Sequence, residues 1–205
     1  MINLSPPRFF QRFFRNVVWN FPSEKEGVFL TFDDGPTPGV TPWVLEQLRK
    51  YNAKATFFCL AKNIEMHPEI FEMIVADGHA LGNHSYSHIK GWGTDTTQYV
   101  QDIIYANSFV NSNLYRPPYG RITPKQFKLL KSQYKIILWD VLSMDYSRRV
   151  SPKRVYQYVV RNAKPGSIIV FHDSLKAERN LRYALPRVLD NLSSKGLTFK
   201  SIIIP

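Results

Sequence analysis

From residue 28 onward the chain alternates between short apolar, β-favouring runs and longer segments whose apolar residues recur every three or four positions. The short runs predict strands over 28–32, 54–60, 79–82, 114–116, 135–141, 167–171 and 199–204. The longer segments predict helices. Thr41-Pro42, His67-Pro68, Thr123-Pro124 and Ser151-Pro152 each put proline at the first helical position, where its missing N–H costs nothing. In three of them Thr41, Thr123 or Ser151 supplies a side-chain cap. The longest helix, over 95–111, sets Tyr99, Ile103, Ala106 and Val110 at helical spacing. Asp77-Gly78 and Lys195-Gly196 read as helix stops.

Strands that alternate with helices imply parallel strands covered by helices in one α/β domain. A barrel-like fold is the first expectation and an open doubly wound sheet the second. Both put a functional site at the carboxyl ends of the strands. The segment before residue 28 reads differently. Over 8–19, Phe9, Phe10, Phe13, Phe14, Val17 and Val18 fall on one half of a helical wheel. Arg8, Gln11, Arg12, Arg15 and Asn16 take the other half, with Trp19 the exception. Such a helix either closes one end of the domain or lies in a membrane interface. Residues 1–27 are therefore read as an amphipathic helix with a lead-in, and 28–205 as the domain that carries the chemistry.

Composition narrows this picture. A chain of 205 residues with 14 Phe, 11 Tyr and 4 Trp has the size and apolar content for one cored domain. The single cysteine, Cys59, allows no intrachain disulfide and sits in an apolar run, as a core residue would. The net charge of +11 is uneven: residues 1–120 carry 10 Lys+Arg against 11 Asp+Glu, and residues 121–205 carry 17 against 5. A basic half suits an anionic polymer or an acidic membrane surface. No basic stripe with interleaved aromatics argues for nucleic acid. No stretch is long and apolar enough for a transmembrane helix. Pro6 and Pro7 come too early for a secretory signal. The expectation is a cytoplasmic protein, membrane-associated if the N-terminal helix rests on a bilayer.

The chemistry-bearing residues collect at the predicted strand ends. The first strand ends in Asp33-Asp34-Gly35-Pro36 and the third in Asn83-His84-Ser85-Tyr86-Ser87-His88. The fourth ends in Arg116-Pro117-Pro118-Tyr119, the fifth in Trp139-Asp140 with Asp145-Tyr146 beyond, and the sixth in His172-Asp173. On one helical turn, His84 and His88 would present both imidazoles to one side, a spacing that serves metal sites. Asp33 or Asp34 would be the third ligand, leaving the other as general base for a metal-activated water. Arg116 would keep that base ionised. His172 would supply a proton from another strand, with Asp145 orienting its ring. Together these parts describe metal-assisted hydrolysis of an acyl group.

In motif order, from about residue 28 to 204, the chain resembles the polysaccharide deacetylase family, the NodB-homology domain of carbohydrate esterase family 4. The resemblance implies a distorted (β/α)7 barrel and metal-dependent removal of acetyl groups from N- or O-acetylated carbohydrate. It assigns Asp33 as base, Asp34, His84 and His88 as ligands, and Arg116 as the brace for Asp33. It assigns the Tyr119 backbone N–H to the oxyanion, His172 as acid and Asp145 as the residue that tunes it. Val170 would line the acetyl-methyl pocket, with Trp139 and Tyr146 in the wall. Two positions depart from the family pattern: Tyr146 replaces a tryptophan and Leu142 an acid. The implied cofactor is a divalent metal, zinc first, with cobalt, nickel or another first-row ion next. The implied partner is an acetylated glycan or oligosaccharide. Alternatives are an allantoinase-like hydrolase of a small cyclic amide and a non-catalytic carbohydrate-binding relative.

Overall fold

The computed structural model describes residues 17–204. Its strands are β1 (Val17–Val18), β2 (Gly27–Asp33), β3 (Ala55–Cys59), β4 (Ala80–Asn83), β5 (Leu114–Tyr115), β6 (Lys135–Ile137), β7 (Val141–Leu142), β8 (Ile168–His172) and β9 (Thr198–Phe199). The helices are α1 (Thr41–Lys50), α2 (Ala61–Met66), α3 (Pro68–Ala76), α4 (Thr96–Val110), α5 (Pro124–Leu130), α6 (Pro152–Asn162) and α7 (Glu178–Ser194). All strand pairs in the named elements are parallel, in the order β1-β6-β5-β4-β3-β2-β8-β7, with β9 beside β2. Only residues 138–140 separate β6, near one end of this path, from β7 at the other. The sheet therefore curls toward closure, and the fold is the expected distorted α/β barrel.

Strand alternation sends the residues of β2 and β8 to two opposite faces. Leu30, Phe32, Ile169 and Phe171 face outward and pack with Val44, Leu48, Val155, Leu185 and Val188 of the covering helices. Phe29, Phe58, Ile137 and Ile168 form the inner plug with Leu114 and Ile202. Above it, Thr31 is the register partner of Val170, and Asp33 that of His172. The inner face of β2 thus runs from the apolar Phe29 to the carboxylate of Asp33 within five residues. Gly82 is required by the plug: a Cβ there would lie 2.3 Å from the Phe58 ring.

Several expectations are corrected in detail. Val17 and Val18 do not end a helix; they form β1 against β6, because paired β-branched residues gain a ladder there. The remainder of the predicted helix, 8–16, lies outside the described residues. The 135–141 run is two strands rather than one. Arg116 takes the carbonyls of Ile137 (Nε, 3.3 Å) and Leu138 (Nη2, 3.2 Å), and Asp140 accepts from Ile168 N at 2.8 Å, so the ladder breaks between them. Thr41 does not cap α1. Its hydroxyl serves Asp173 and accepts from Thr37 N, and Val40 is the N-cap. Thr123 forms the full capping box with Gln126, Ser151 caps α6, and Asp95 caps α4. Gly78 and Gly196 end α3 and α7 at φ of +69° and +77°.

Candidate active site

Asp33 and Asp34 are adjacent, yet the fold gives them opposite environments. Asp33, on the inward face of β2, is buried, and Arg116 Nη1 donates to its Oδ1 at 2.7 Å. Arg116 itself is wholly buried: Nη1 also donates to Thr31 Oγ1 at 2.7 Å, and the guanidinium lies 4.0 Å from the Phe58 ring centroid. Burial lowers the Arg116 pKa and the Asp33 charge opposes that shift. A buried ion pair of this kind needs partners for its remaining donors, and here Nε, Nη1 and Nη2 each have an acceptor.

Asp34 follows at φ 81°, a left-handed conformation that turns its side chain out of the strand. Its Oδ1 atom is buried and, among the described residues, has no hydrogen-bond partner. That atom lies 3.7 Å from His84 Nε2 and 3.3 Å from His88 Nε2. His84 Nδ1 is 2.8 Å from the Arg116 carbonyl, which can only accept, so Nδ1 carries the proton and Nε2 presents its lone pair. Burial pushes the His84 pKa down to about 3, and burial also lowers His88. Neutral imidazoles and a carboxylate are the donors a divalent ion needs. The potential ligand atoms of the three residues lie within 4.8 Å of one another. A buried carboxylate oxygen facing the His84 Nε2 lone pair, with His88 Nε2 beside it, is an arrangement that fits a cation.

The histidines reach this arrangement by a route other than the expected helical turn. They lie on a loop after β4 in which Ser85 and His88 have φ of 70° and 57°. Asp102, on α4, holds the loop by accepting from Tyr86 N at 2.8 Å and Ser87 Oγ at 2.6 Å. Tyr119 and Met144, on two other loops of the site, are also left-handed, at 60° and 62°. Such backbone strain collects where side chains are held for function.

His172, at the end of β8, lines the cleft while its Nδ1 donates to Asp145 Oδ1 at 2.7 Å. Its backbone N–H donates to Asp145 Oδ2 at 2.8 Å, so one carboxylate fixes both ring and strand end. Burial opposes the imidazolium, but the charge and hydrogen bond of Asp145, with the charges of Asp34 and Asp33, raise the pKa to about 9. The Tyr146 ring meets His172 edge-on at 4.9 Å.

These residues surround a cleft of about 480 Å³. Asp33, Asp34, His84, His88, Tyr119, Trp139, Tyr146, Val170 and His172 line it, as does Leu142. Arg116 and Asp145 lie behind the wall, hydrogen-bonded to Asp33 and His172. Asp140 faces away and fastens the 138–140 corner to β8 through Ser167 Oγ and Ile168 N. Sequence reasoning missed Asp173. Its carboxylate accepts from Gly35 N at 3.0 Å and from the Thr41 hydroxyl, and its N–H donates to the Asp33 carbonyl at 3.1 Å. A Cβ at Gly35 would lie 2.0 Å from Asp173 Oδ2, so glycine is what lets this clamp close. Burial pushes Asp173 up to about 7, against those hydrogen bonds. Asn180 was also missed; its amide spans the carbonyls of Asp145, Ser147 and Val150. Asp173 carried one sequence signal, its place beside His172; Asn180 carried none.

Residues 21–134 match the family model described as polysaccharide deacetylase. The chain belongs to that family. The chain is 31% identical over 194 residues to a peptidoglycan-N-acetylglucosamine deacetylase of Bacillus cereus, covering 91% of each chain. A second B. cereus protein of the same name is 35% identical over 189 residues, 88% of this chain and 68% of that one. Among solved structures, a peptidoglycan N-acetylglucosamine deacetylase in complex with a naphthyl-substituted N-oxidanyl-benzamide superposes with a TM-score of 0.88 at 32% identity. That match covers 96% of this chain and 95% of its relative.

Proposed function

We propose that this protein is a metal-dependent deacetylase that hydrolyses the N-acetyl group of an amino sugar in a peptidoglycan-type glycan. The observation that carries the reading is the split between two neighbouring acids: Asp33 is paired to Arg116, whereas Asp34 Oδ1 has no hydrogen-bond partner among the described residues and faces two imidazole nitrogens. The names of the relatives support the substrate class. An N-hydroxy amide of the type bound by one relative chelates divalent ions, which supports the metal.

A divalent ion, zinc or a related first-row metal, held by Asp34, His84 and His88 would supply Lewis acidity toward the acetyl carbonyl and the attacking water. Asp33 accepts the proton released as that water adds its oxygen to the acetyl carbon. The Tyr119 N–H, in a 3-10 turn (Pro118–Gly120) on a residue held at φ 60°, donates to the carbonyl oxygen as it gains charge. His172, with Nδ1 committed to Asp145, gives its Nε2 proton to the leaving nitrogen. The C–N bond breaks, and acetate and the free amine depart. Val170 beside the acetyl methyl, with Trp139 and Tyr146 in the wall, keeps water to the attacking side.

The test is acetate release by zinc- or cobalt-reconstituted protein from chitooligosaccharides, peptidoglycan fragments and acetylxylan, with Asp33→Asn alongside. Release from N-acetylated saccharides that vanishes in the variant, at unchanged metal content, is the expected result. Acetylxylan as the sole substrate would make this an esterase. A ring-opened product from a small cyclic amide, with no acetate from any saccharide, would replace the reading altogether.

A further inference from the structure

The floor of the cleft is acidic, but its rim is not. Lys90 from the loop after β4, Arg121 from beyond the 3-10 turn and Lys176 from the loop after β8 all reach the cleft. Each is exposed, and each head group sits over an aromatic ring of the same cleft: Lys90 5.8 Å from the Tyr119 centroid, Arg121 5.2 Å from Trp92, Lys176 5.4 Å from Tyr146. Among the described residues none of the three side chains has a carboxylate partner or a hydrogen-bond acceptor.

An uncharged sugar makes no use of this arrangement. The aromatic faces suffice to hold its ring, and three like charges around one opening repel one another. Stacking on the rings holds the cations in place and leaves their donors free, so little ordering remains to be done when an anion arrives. The acids of the floor do not neutralise them. Asp33 is committed to Arg116, and Asp34 faces the two histidines.

We infer that the cleft selects an acetylated saccharide bearing an anionic substituent, a carboxylate or a phosphate, on or next to the sugar that is deacetylated. The cations of the rim bind that substituent while Asp33 and His172 act on the acetyl group. This inference rests on the deacetylase reading.

The experiment compares kcat/KM for acetate release from four probes. They are a peptide-free glycan strand of alternating N-acetylglucosamine and N-acetylmuramic acid, the same strand methyl-esterified, chitotetraose, and chitotetraose 6-phosphate. The two carboxyl forms isolate the carboxylate, and the two chitotetraoses isolate the phosphate. At exposed sites each cation contributes only a few-fold, so the anionic member of a pair is expected to be better by about tenfold. The gap should shrink as salt rises from about 0.05 to about 0.5 M. It should fall to about threefold or less in an Arg121→Gln/Lys176→Gln double variant, whose altered side chains are exposed and leave the buried floor intact. Preference within one pair only names that substituent as the one recognised. Equal rates within both pairs, or a preference indifferent to salt and to the double variant, overturns the inference and leaves the deacetylase reading standing. Acetate from none of the four overturns both.

Discussion

The floor and the rim of the cleft obey different physics. On the floor, Arg116, Asp33, Thr31 and Asp145 are buried, and each makes short hydrogen bonds to another member or to a strand carbonyl or amide. On the rim, Trp92 and Tyr119 are 60% and 54% exposed, and the neighbouring cations touch only ring faces. In a buried network an unpaired group is costly, so the floor tolerates few substitutions and holds its geometry before substrate arrives. The rim is bathed in water, where each contact contributes little and can be exchanged. Under the proposed function chemistry is located in the first region, and under the proposed anion selectivity substrate choice lies in the second.

The largest effect that would break this division is on Asp33. Asp33→Asn keeps the volume and an acceptor for Arg116 but cannot take a proton. It should lower kcat by about 10²–10⁴-fold while metal content and KM hold. A variant within tenfold of the parent would mean that the base lies elsewhere. Asp145→Asn comes next, at about 10²-fold in kcat, because His172 loses both its orientation and the charge that favours the imidazolium. Here the pH profile is the sharper readout. A general acid must be protonated, so activity is lost as pH rises through the pKa of His172. That pKa is raised to about 9 chiefly by Asp145, working against burial. Removing Asp145 should move the alkaline limb toward lower pH, and an unmoved limb would assign it to another group.

The same contrast explains what could be read from the sequence. The floor was legible because its residues sit at strand ends: an apolar run followed by Asp33-Asp34, or by His172, marks position and chemistry together. The His84/His88 pair was found for the wrong reason. The spacing suggested a helical turn, whereas a loop with two left-handed residues, anchored by Asp102, brings the rings together. The break between β6 and β7 was invisible, since a hydrophobic pattern cannot report that Arg116 captures two strand carbonyls. Asp173 was visible as an acid, but its partners Gly35 and Thr41 lie 138 and 132 residues away. The N-terminal pattern of alternating Phe and Arg gave no warning that Val17 and Val18 would be taken by the sheet.

Asp140 sharpens the comparison by offering burial and pairing without a cleft. Burial pushes its pKa up to about 6, against the hydrogen bonds from Ser167 and Ile168. A carboxyl whose folded-state pKa lies above its unfolded value holds its proton more tightly when folded. Its contribution is therefore fully present at low pH and is lost as pH rises from about 4 through about 6. The loss is at most about 3 kcal/mol for a shift of about two units. Asp140→Asn keeps an acceptor for Ile168 N and should flatten that slope in denaturant melts at pH 4.5 and 7, with kcat unchanged. A fall in kcat as large as that of Asp145→Asn would show that the 138–140 corner, too, governs the chemistry.

The smallest effect belongs to Trp92. The indole is exposed, carries Arg121 over its face and lies on the rim, so its loss removes contact area without disturbing a buried group. Trp92→Ala should raise KM by about two- to tenfold, the range of a single aromatic contact, and leave kcat within about twofold. Interactions made equally in ground and transition states change KM alone. A fall in kcat comparable to that of Asp145→Asn would mean that rim contacts are used to position the acetyl group. The boundary between floor and rim would then run outside Trp92 rather than inside it.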